Sequence, residues 1–429
     1  MTLRGGTAQE IASGIESAVT SGALAPGDLL PAVRALAGEL KVSPSTVGAA
    51  YGQLRRRGVT IGTGRAGTRI SSRPPLQTRL PLPVPKGVRD LRNGWPDPAL
   101  LPELPAVSGA RRLYGEPAVS PRLHKVAEMR FAADGIDPTN LTVVGGALDG
   151  LERVLSAWLR VGDTVVTEDP GYSAALDLMA AMGFRVLPVP VDDFGMRPTE
   201  LRVALRSADA LLVSPRAQNP TGAAWDQRRR EQLAAIVAER PDLLVVEDDH
   251  VGTVAGTETY TLAGVTERWT TIRSVSKWLG PDLRVAVIAG DEATIGRVEG
   301  RQALGTGWVS YLLQDTVAQL WSAAKTAKLL ERATKTYAGR RDALRESLFD
   351  NGFAPTGRSG LTLWVPVHDE PGVTSGLSNA GWAVMPGDRF RIEAAPGIRI
   401  ALATLQPAEA RELAADLRAL LRRSSPRLA

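Results

Sequence analysis

The chain has no cysteine, three histidines, and only seven lysines among its 51 basic residues. Without cysteine it forms no disulfide, offers no thiol nucleophile and builds no thiolate metal site. His124, His250 and His368 are too scattered for a metal-ligand spacing, so no metal is expected. No stretch approaches the apolar length of a membrane span, roughly 20 residues. The opening Met1-Thr2-Leu3-Arg4-Gly5-Gly6 leads into no apolar signal core. A cytoplasmic location is therefore expected, with no membrane partner. What is present, 44% hydrophobic and 23% charged residues over 429 positions, is the composition of a soluble globular protein of two or three domains.

The charge is unevenly placed. Residues 1–80 hold ten Arg and Lys against four Asp and Glu, a net of +6, while the whole chain is +5. The remainder thus sums to −1. An excess confined to the first fifth of the chain points to an anionic partner there; a merely solvated basic face is the alternative.

Local patterns give that first fifth a shape. Ile11, Ile15, Ala18 and Val19 have helical spacing over residues 8–20. Pro31 is expected to open a second helix, lined by Val33, Leu36, Ala37 and Leu40, since its missing N–H costs nothing at a first helical position. Ser43 before Pro44 reads as the N-cap of a third, carrying Val47, Ala50, Tyr51 and Leu54 on one face. Helices two and three lie about three residues apart, as in a helix-turn-helix. Two extended segments follow, around Val59–Ile61 and Thr68–Ile70. Between them Gly62-Thr63-Gly64-Arg65-Ala66-Gly67 spells the G-x-G-x-x-G dinucleotide pattern. That fingerprint should open a helix, and here Thr68-Arg69-Ile70 and prolines follow, so a hairpin wing is expected instead.

In Leu30–Ala37, Val42–Leu54 and Gly64–Thr68 this segment resembles the GntR-type winged helix-turn-helix. The resemblance implies contacts to double-stranded DNA by Arg34, Ser45, Thr46 and Arg65. Pro44 stands where that family often carries a basic residue, which favours phosphate contacts over base reading. For all four residues the alternative is helix capping and surface charge.

Pro74, Pro75, Pro81, Pro83 and Pro85 mark a semi-rigid spacer. The expected division is a DNA-binding domain over 1–71, a linker over 72–90 and a second domain over 91–429. From about residue 140, short apolar strands alternate with helical patterns, an α/β signature. The expected strands are Leu141–Val144, Asp163–Glu168, Ala210–Val213, Leu243–Val246 and Thr271–Arg273. Polar residues gather just beyond their ends, where ligands bind in open α/β sheets. After the first, Gly145-Gly146-Ala147-Leu148 exposes helix N-terminal N–H groups to an anion.

In a chain that otherwise prefers arginine, Lys277 suggests a task for a primary amine, because a guanidinium forms no Schiff base; an ordinary surface lysine is the alternative. Its setting, Ser274-x-Ser276-Lys277 with Arg284 seven residues on, together with Asn219-Pro220-Thr221-Gly222, Asp248 and Arg399, resembles the fold-type I pyridoxal phosphate enzymes of the class I aminotransferase family. With the winged helix in front, the whole chain resembles the MocR subfamily of GntR regulators. The implied fold is a large α/β sheet domain with a small C-terminal α+β subdomain, mainly 320–429. The implied cofactor is pyridoxal 5'-phosphate on Lys277, the Schiff-base amine. The resemblance puts Asp248 on the pyridine nitrogen, Tyr172 on the ring face and Asn219 on the phenolic oxygen. It assigns the phosphate to Ser274, Ser276, Arg284 and the backbone around Gly146, Ala147 and Leu148. Arg399 would take the carboxylate of an amino-acid-like ligand, and Tyr114 would reach the phosphate of a partner subunit in a homodimer.

Two departures stand out. His250 replaces a tyrosine common in the regulators near the cofactor oxygen, and Leu148-Asp149 replaces a more usual glutamine pair. The expected function is a regulator that reads paired DNA half-sites and senses an amine, an amino acid or the cofactor itself. A true aminotransferase and a DNA-binding protein with a decayed cofactor site are the alternatives.

Overall fold

The computed structural model describes residues 6–20, 23–56, 59–62, 67–71, 84–106 and 112–424. The N-terminal module consists of α1 (Ala8–Thr20), α2 (Val33–Leu40), α3 (Pro44–Arg56) and a two-stranded hairpin of β1 (Thr60–Gly62) and β2 (Thr68–Ile70). Ile11, Ile15, Leu36, Val47, Leu54 and Ile70 are wholly buried in one core. Each such side chain contributes roughly 1.5–3 kcal/mol by leaving water, enough together to hold a short three-helix unit. Ser43 caps α3 as its position predicts, its Oγ accepting the Thr46 N–H at 3.1 Å. Helix α2 starts later than expected. Ala32 is extended (ψ 143°) and serves as the N-cap, so Pro31 lies outside the helix. The Pro31 carbonyl instead accepts the Tyr51 hydroxyl of α3 at 2.8 Å. Burial of that phenol pushes its pKa up to about 12. Strands β1 and β2 pair antiparallel, with Gly62 opposite Thr68. The glycine pattern is therefore flanked by paired strands, and a strand, not a helix, follows it. Arg65 lies outside the described residues, as does the spacer over 72–83.

The spacer ends sooner than its composition indicates. Arg89–Asp90 form β3, paired in parallel with Trp382–Ala383. Leu91 is buried with Leu344, Leu348, Leu363, Ile398 and Leu413 in the core of the C-terminal subdomain. That subdomain recruits a strand from the opposite end of its domain, which local composition does not encode.

The large sheet has eight strands: β4 (Leu141–Val144), β5 (Thr164–Asp169), β6 (Arg185–Asp192), β7 (Gly195–Met196), β8 (Ala210–Val213), β9 (Leu244–Asp249), β10 (Arg268–Ser274) and β11 (Ala286–Gly290). Their order is β4-β11-β10-β9-β8-β5-β6-β7. Strands β8, β9 and β10 are parallel, while β11 is antiparallel to both β10 and β4. Residues in β4, β5, β8, β9 and β11 are buried throughout, which explains the unbroken apolar runs of β8 and β11. The small sheet orders Thr362–Pro366, Gly397–Ala401 and Met385–Pro386. The helix Ala324–Asp350 serves two cores, placing Leu330 and Tyr337 in that of the large sheet and Leu344 and Leu348 in that of the C-terminal subdomain.

Strand β9 runs three residues past its expected end, through Glu247, Asp248 and Asp249. Acidic residues continue a buried strand here because their charges are met. Asp249 lies opposite Arg273 of β10. It accepts Arg216 Nε and Nη2 at 2.8 Å each and Arg273 Nε at 2.7 Å. Arg273 also reaches Asp134 at 2.7 Å. Burial alone would raise the Asp249 pKa, but the two guanidinium groups outweigh it and hold the carboxyl well below the usual range. Replacing Asp249 with alanine leaves buried Arg216 without its carboxylate partner and Arg273 with Asp134 alone. We expect it to lower the unfolding free energy of this domain by roughly 3–5 kcal/mol, read as a shift in the urea midpoint.

Candidate functional site

The ends of β8, β9 and β10 and the turns beyond them enclose a cavity of about 340 Å³. Strand β4 delivers its chain there through Gly145-Gly146 into the helix Ala147–Trp158. Gly146 has φ +110°, and a Cβ on it would lie 2.8 Å from Arg284 Nη2. Only glycine lets that guanidinium lie across the helix start, where it donates to Gly145 O at 3.1 Å. Ser274 and Ser276 face the same corner, their hydroxyls 3.0 Å apart. Asp149, one of the unusual residues, accepts the Gly145 N–H at 2.8 Å and Arg153 Nε at 2.9 Å. It closes the turn and leaves the helix N–H groups to an anion.

The middle of the cavity holds Lys277, Asp248 and His250. Burial, then the positive charge of Arg399, lowers the Lys277 amine from the ordinary 10.5 to about 8. Asp248 is 3% exposed, and its Oδ1 has no hydrogen-bond partner among the described residues. Burial and the neighbouring charge of Asp249 push it up to about 7, against the pull of Lys277. His250 Nδ1, also without a hydrogen-bond partner, lies 3.8 Å from Asp248 Oδ2. Burial and Lys277 push His250 down to about 4, so it is neutral at physiological pH. Its ring is within 11° of parallel to that of Tyr172, with centroids 6.5 Å apart. That spacing is close to twice the carbon–carbon contact distance of roughly 3.5 Å, room for one flat ring.

On the far wall Arg399 is 6% exposed, its guanidinium 4.6 Å from the Phe390 ring. Nη1 donates to Asn219 Oδ1 at 3.0 Å, while Nε has no hydrogen-bond partner among the described residues. Burial lowers its pKa to about 10.

Ala147, Leu148, Tyr172, Asn219, Asp248, His250, Ser274, Ser276, Lys277, Arg284 and Arg399, separated by up to 252 positions in sequence, all line this one cavity. Tyr114 does not. It is 90% exposed and stands edge-on to Trp308, with centroids 5.4 Å apart. In the N-terminal module Arg34 is exposed, while the Ser45 and Thr46 hydroxyls bond Ser43 Oγ at 2.7 and 2.8 Å.

Three features escaped sequence reasoning. The segment Asn93-Gly94-Trp95 forms part of the wall, with Gly94 O accepting Lys277 Nζ at 2.8 Å. Arg216 and Arg273 neutralise Asp249 directly behind Asp248. Asp169 accepts the N–H groups of Ile392, Glu393 and Ala394 at 2.7–2.8 Å, pinning the loop that leads to Arg399. Two of these depend on backbone groups, which carry no residue signature. The third had a signal in strand alternation, since Glu247 and Asp249 face away from Asp248.

Because an amine reacts only when neutral, labelling of Lys277 by a small amine-reactive reagent should rise with pH around a midpoint near 8. Competitive labelling read by mass spectrometry checks this; a midpoint at the ordinary lysine value of 10.5 would contradict the electrostatics described.

Comparison with known proteins agrees with this geometry. The sequence matches the family described as aminotransferase class I and II over residues 98–417, and bacterial regulatory proteins, gntR family, over residues 7–70. It is 37% identical over 433 aligned residues to the vitamin B6 salvage pathway transcriptional repressor PtsJ of Salmonella typhimurium, covering 98% of this chain and 99% of that protein. It is 32% identical over 260 residues to the pyridoxine biosynthesis transcriptional regulator PdxR of Corynebacterium glutamicum, covering 55% of this chain and 54% of that one. In fold it resembles a kynurenine aminotransferase of Pyrococcus horikoshii solved with PMP, with a TM-score of 0.72 at 21% identity over 80% of this chain and 92% of that chain. The chain belongs to the aminotransferase class I and II family over most of its length and carries a gntR-family domain in front, the make-up of the MocR subfamily of GntR transcriptional regulators.

Proposed function

We propose that this chain is a DNA-binding transcriptional regulator whose aminotransferase-like domain binds pyridoxal 5'-phosphate at Lys277 and senses a small ligand there. The observation that carries the reading is the juxtaposition, in one cavity, of a depressed lysine amine with a buried carboxylate oxygen that has no hydrogen-bond partner among the described residues. A buried polar atom without a partner is costly, and a protonated pyridine nitrogen would satisfy it by donating its N–H. The slot between Tyr172 and His250 fits the ring, and the Ser274, Ser276 and Arg284 corner fits the phosphate.

When bound, the cofactor supplies an aldehyde to amines and an electron-withdrawing ring. The chain's residues do the rest. Lys277 offers its neutral amine. Asp248 shares a proton with the ring nitrogen, a role suited to a carboxyl raised to about 7. Asn219, its Oδ1 already committed to Arg399, keeps its amide N–H groups for the phenolic oxygen. Neutral His250 covers the ring without adding charge. The backbone N–H groups at Gly146, Ala147 and Leu148 take part of the phosphate charge. Arg399 holds a ligand carboxylate.

Exposed Tyr114 fits the expectation that it completes the phosphate site of a second subunit, and such a homodimer would present two winged helices to paired half-sites. Arg34, Ser45, Thr46 and Arg65 contact DNA in this reading, with the domain ending near residue 71 and a spacer running to β3. No helix among the described residues is long and apolar enough to cross a membrane, and we place the protein in the cytoplasm with its DNA. The effector is an amine, an amino acid or the cofactor itself. The full-length likeness to a vitamin B6 salvage repressor favours the cofactor.

Purified protein should acquire a visible absorption band with pyridoxal phosphate. Lys277→Ala should abolish it, and Asp248→Ala should weaken cofactor affinity at least about tenfold, the scale of a lost charged hydrogen bond. A wild type that stays colourless rejects the cofactor reading. Specific binding to DNA upstream of its own gene is expected in gel shifts, and Arg34→Ala should reduce the salt slope by about 1. Binding indifferent to sequence would reject the regulator.

A further inference from the structure

Two cations of the pocket, buried Arg399 and partly buried Lys277, both donate to the main chain of one short segment. Lys277 Nζ donates to Gly94 O at 2.8 Å, and Arg399 Nη2 donates to Arg92 O. This segment is anchored on both sides. Upstream, the Arg89 N–H donates to Gly381 O at 2.7 Å and the Leu91 N–H to Ala383 O at 2.8 Å. Downstream, the Asp97 N–H donates to the Tyr337 hydroxyl at 3.0 Å, and its carboxylate meets Arg340 at 2.9 Å. Between the anchors, Gly94 is half-buried and Trp95 is 62% exposed. In sequence, the upstream anchor is where the spacer from the N-terminal module arrives.

We propose that the carbonyls of Arg92 and Gly94 are the sensing output of the pocket: ligand chemistry at Lys277 and Arg399 withdraws both donors and frees segment 92–95 at the foot of the spacer. This rests on the reading that pyridoxal phosphate binds Lys277, and it deepens that reading. Condensation of the neutral amine with the aldehyde forms a C=N bond and breaks the aldehyde C=O bond. Both hydrogens of the amine leave with that oxygen as water, and any proton the new imine nitrogen takes up is shared with the adjacent phenolic oxygen, so Nζ has none for Gly94 O. A ligand carboxylate at Arg399 competes with Arg92 O for Nη2, because a charged acceptor binds a guanidinium more strongly than a neutral carbonyl does. A carbonyl stripped of its donor must find water or another partner, and the chain between the anchors shifts to let it. The two carbonyls thus report separately, Gly94 on the cofactor and Arg92 on a carboxylate. No side chain of the segment is required, so any residue at these positions could serve.

Amide hydrogen exchange on the full-length protein, with and without pyridoxal phosphate, tests this. Loading is followed in parallel by visible absorption. Exchange in the peptide covering residues 91–95 should quicken about tenfold on loading, the scale of one lost charge-assisted hydrogen bond. Lys277→Ala should show the faster exchange without ligand and no response to pyridoxal phosphate. Should that variant fail to fold, the wild-type pair still decides. Loaded wild type whose exchange there is unchanged or slower overturns the coupling and leaves cofactor binding intact. A wild type that gains no band overturns both.

Discussion

A carboxyl group held in the protein interior beside a lysine is the constraint on which the rest of this structure depends. Asp248 is tolerable at the end of a fully buried strand because its own charge is partly suppressed, with its pKa pushed to about 7. It is suppressed because Asp249, one residue on, keeps a full negative charge behind it. Asp249 keeps that charge because Arg216 and Arg273 neutralise it from the other face. Two adjacent carboxyls are thus driven apart in pKa by facing opposite sides of one strand. Such separation of titrations by environment is how protein sites prepare one group to hold a proton and another to remain ionised.

The cationic side of the pocket follows the same logic. Arg399 is buried and Lys277 partly so; burial lowers the pKa of each, and the charge of Arg399 lowers that of Lys277 further. Their donors go to backbone carbonyls at Arg92 and Gly94 and to Asn219. Carbonyls are weaker acceptors than carboxylates, so these cations are held in place without being committed to an ion pair. That leaves them available to an anionic or carbonyl-bearing ligand. Because the held segment adjoins β3, the chemistry of the pocket bears on the point where the chain leaves for its DNA-binding module.

Much of this was legible in residues. The winged module is built from local contacts, and a 3.6-residue period plus a serine cap state them directly; only the start of α2 was misread, because Pro31 is used by Tyr51 instead of by the helix. The cofactor motifs were legible because the Asn219 turn and the Ser274–Lys277 turn each demand a particular short string. Less legible was the length of β9, where acidic residues look like a loop until their arginine partners, 33 and 24 positions away, are known. Tyr114 lies outside the cavity, exposed beside Trp308.

The order of elements, the basic head and the identity of the groups that could meet a pyridine, a phosphate and a carboxylate were determined by the sequence alone. These depend on periodicity, charge and side-chain chemistry, which each residue carries with it. Tertiary structure alone decided which of these groups share one cavity, how far burial moves their proton affinities, and which main-chain atoms they hold. Those depend on distance and dielectric surroundings, and both come into being only when segments far apart in the chain exclude water from the space between them.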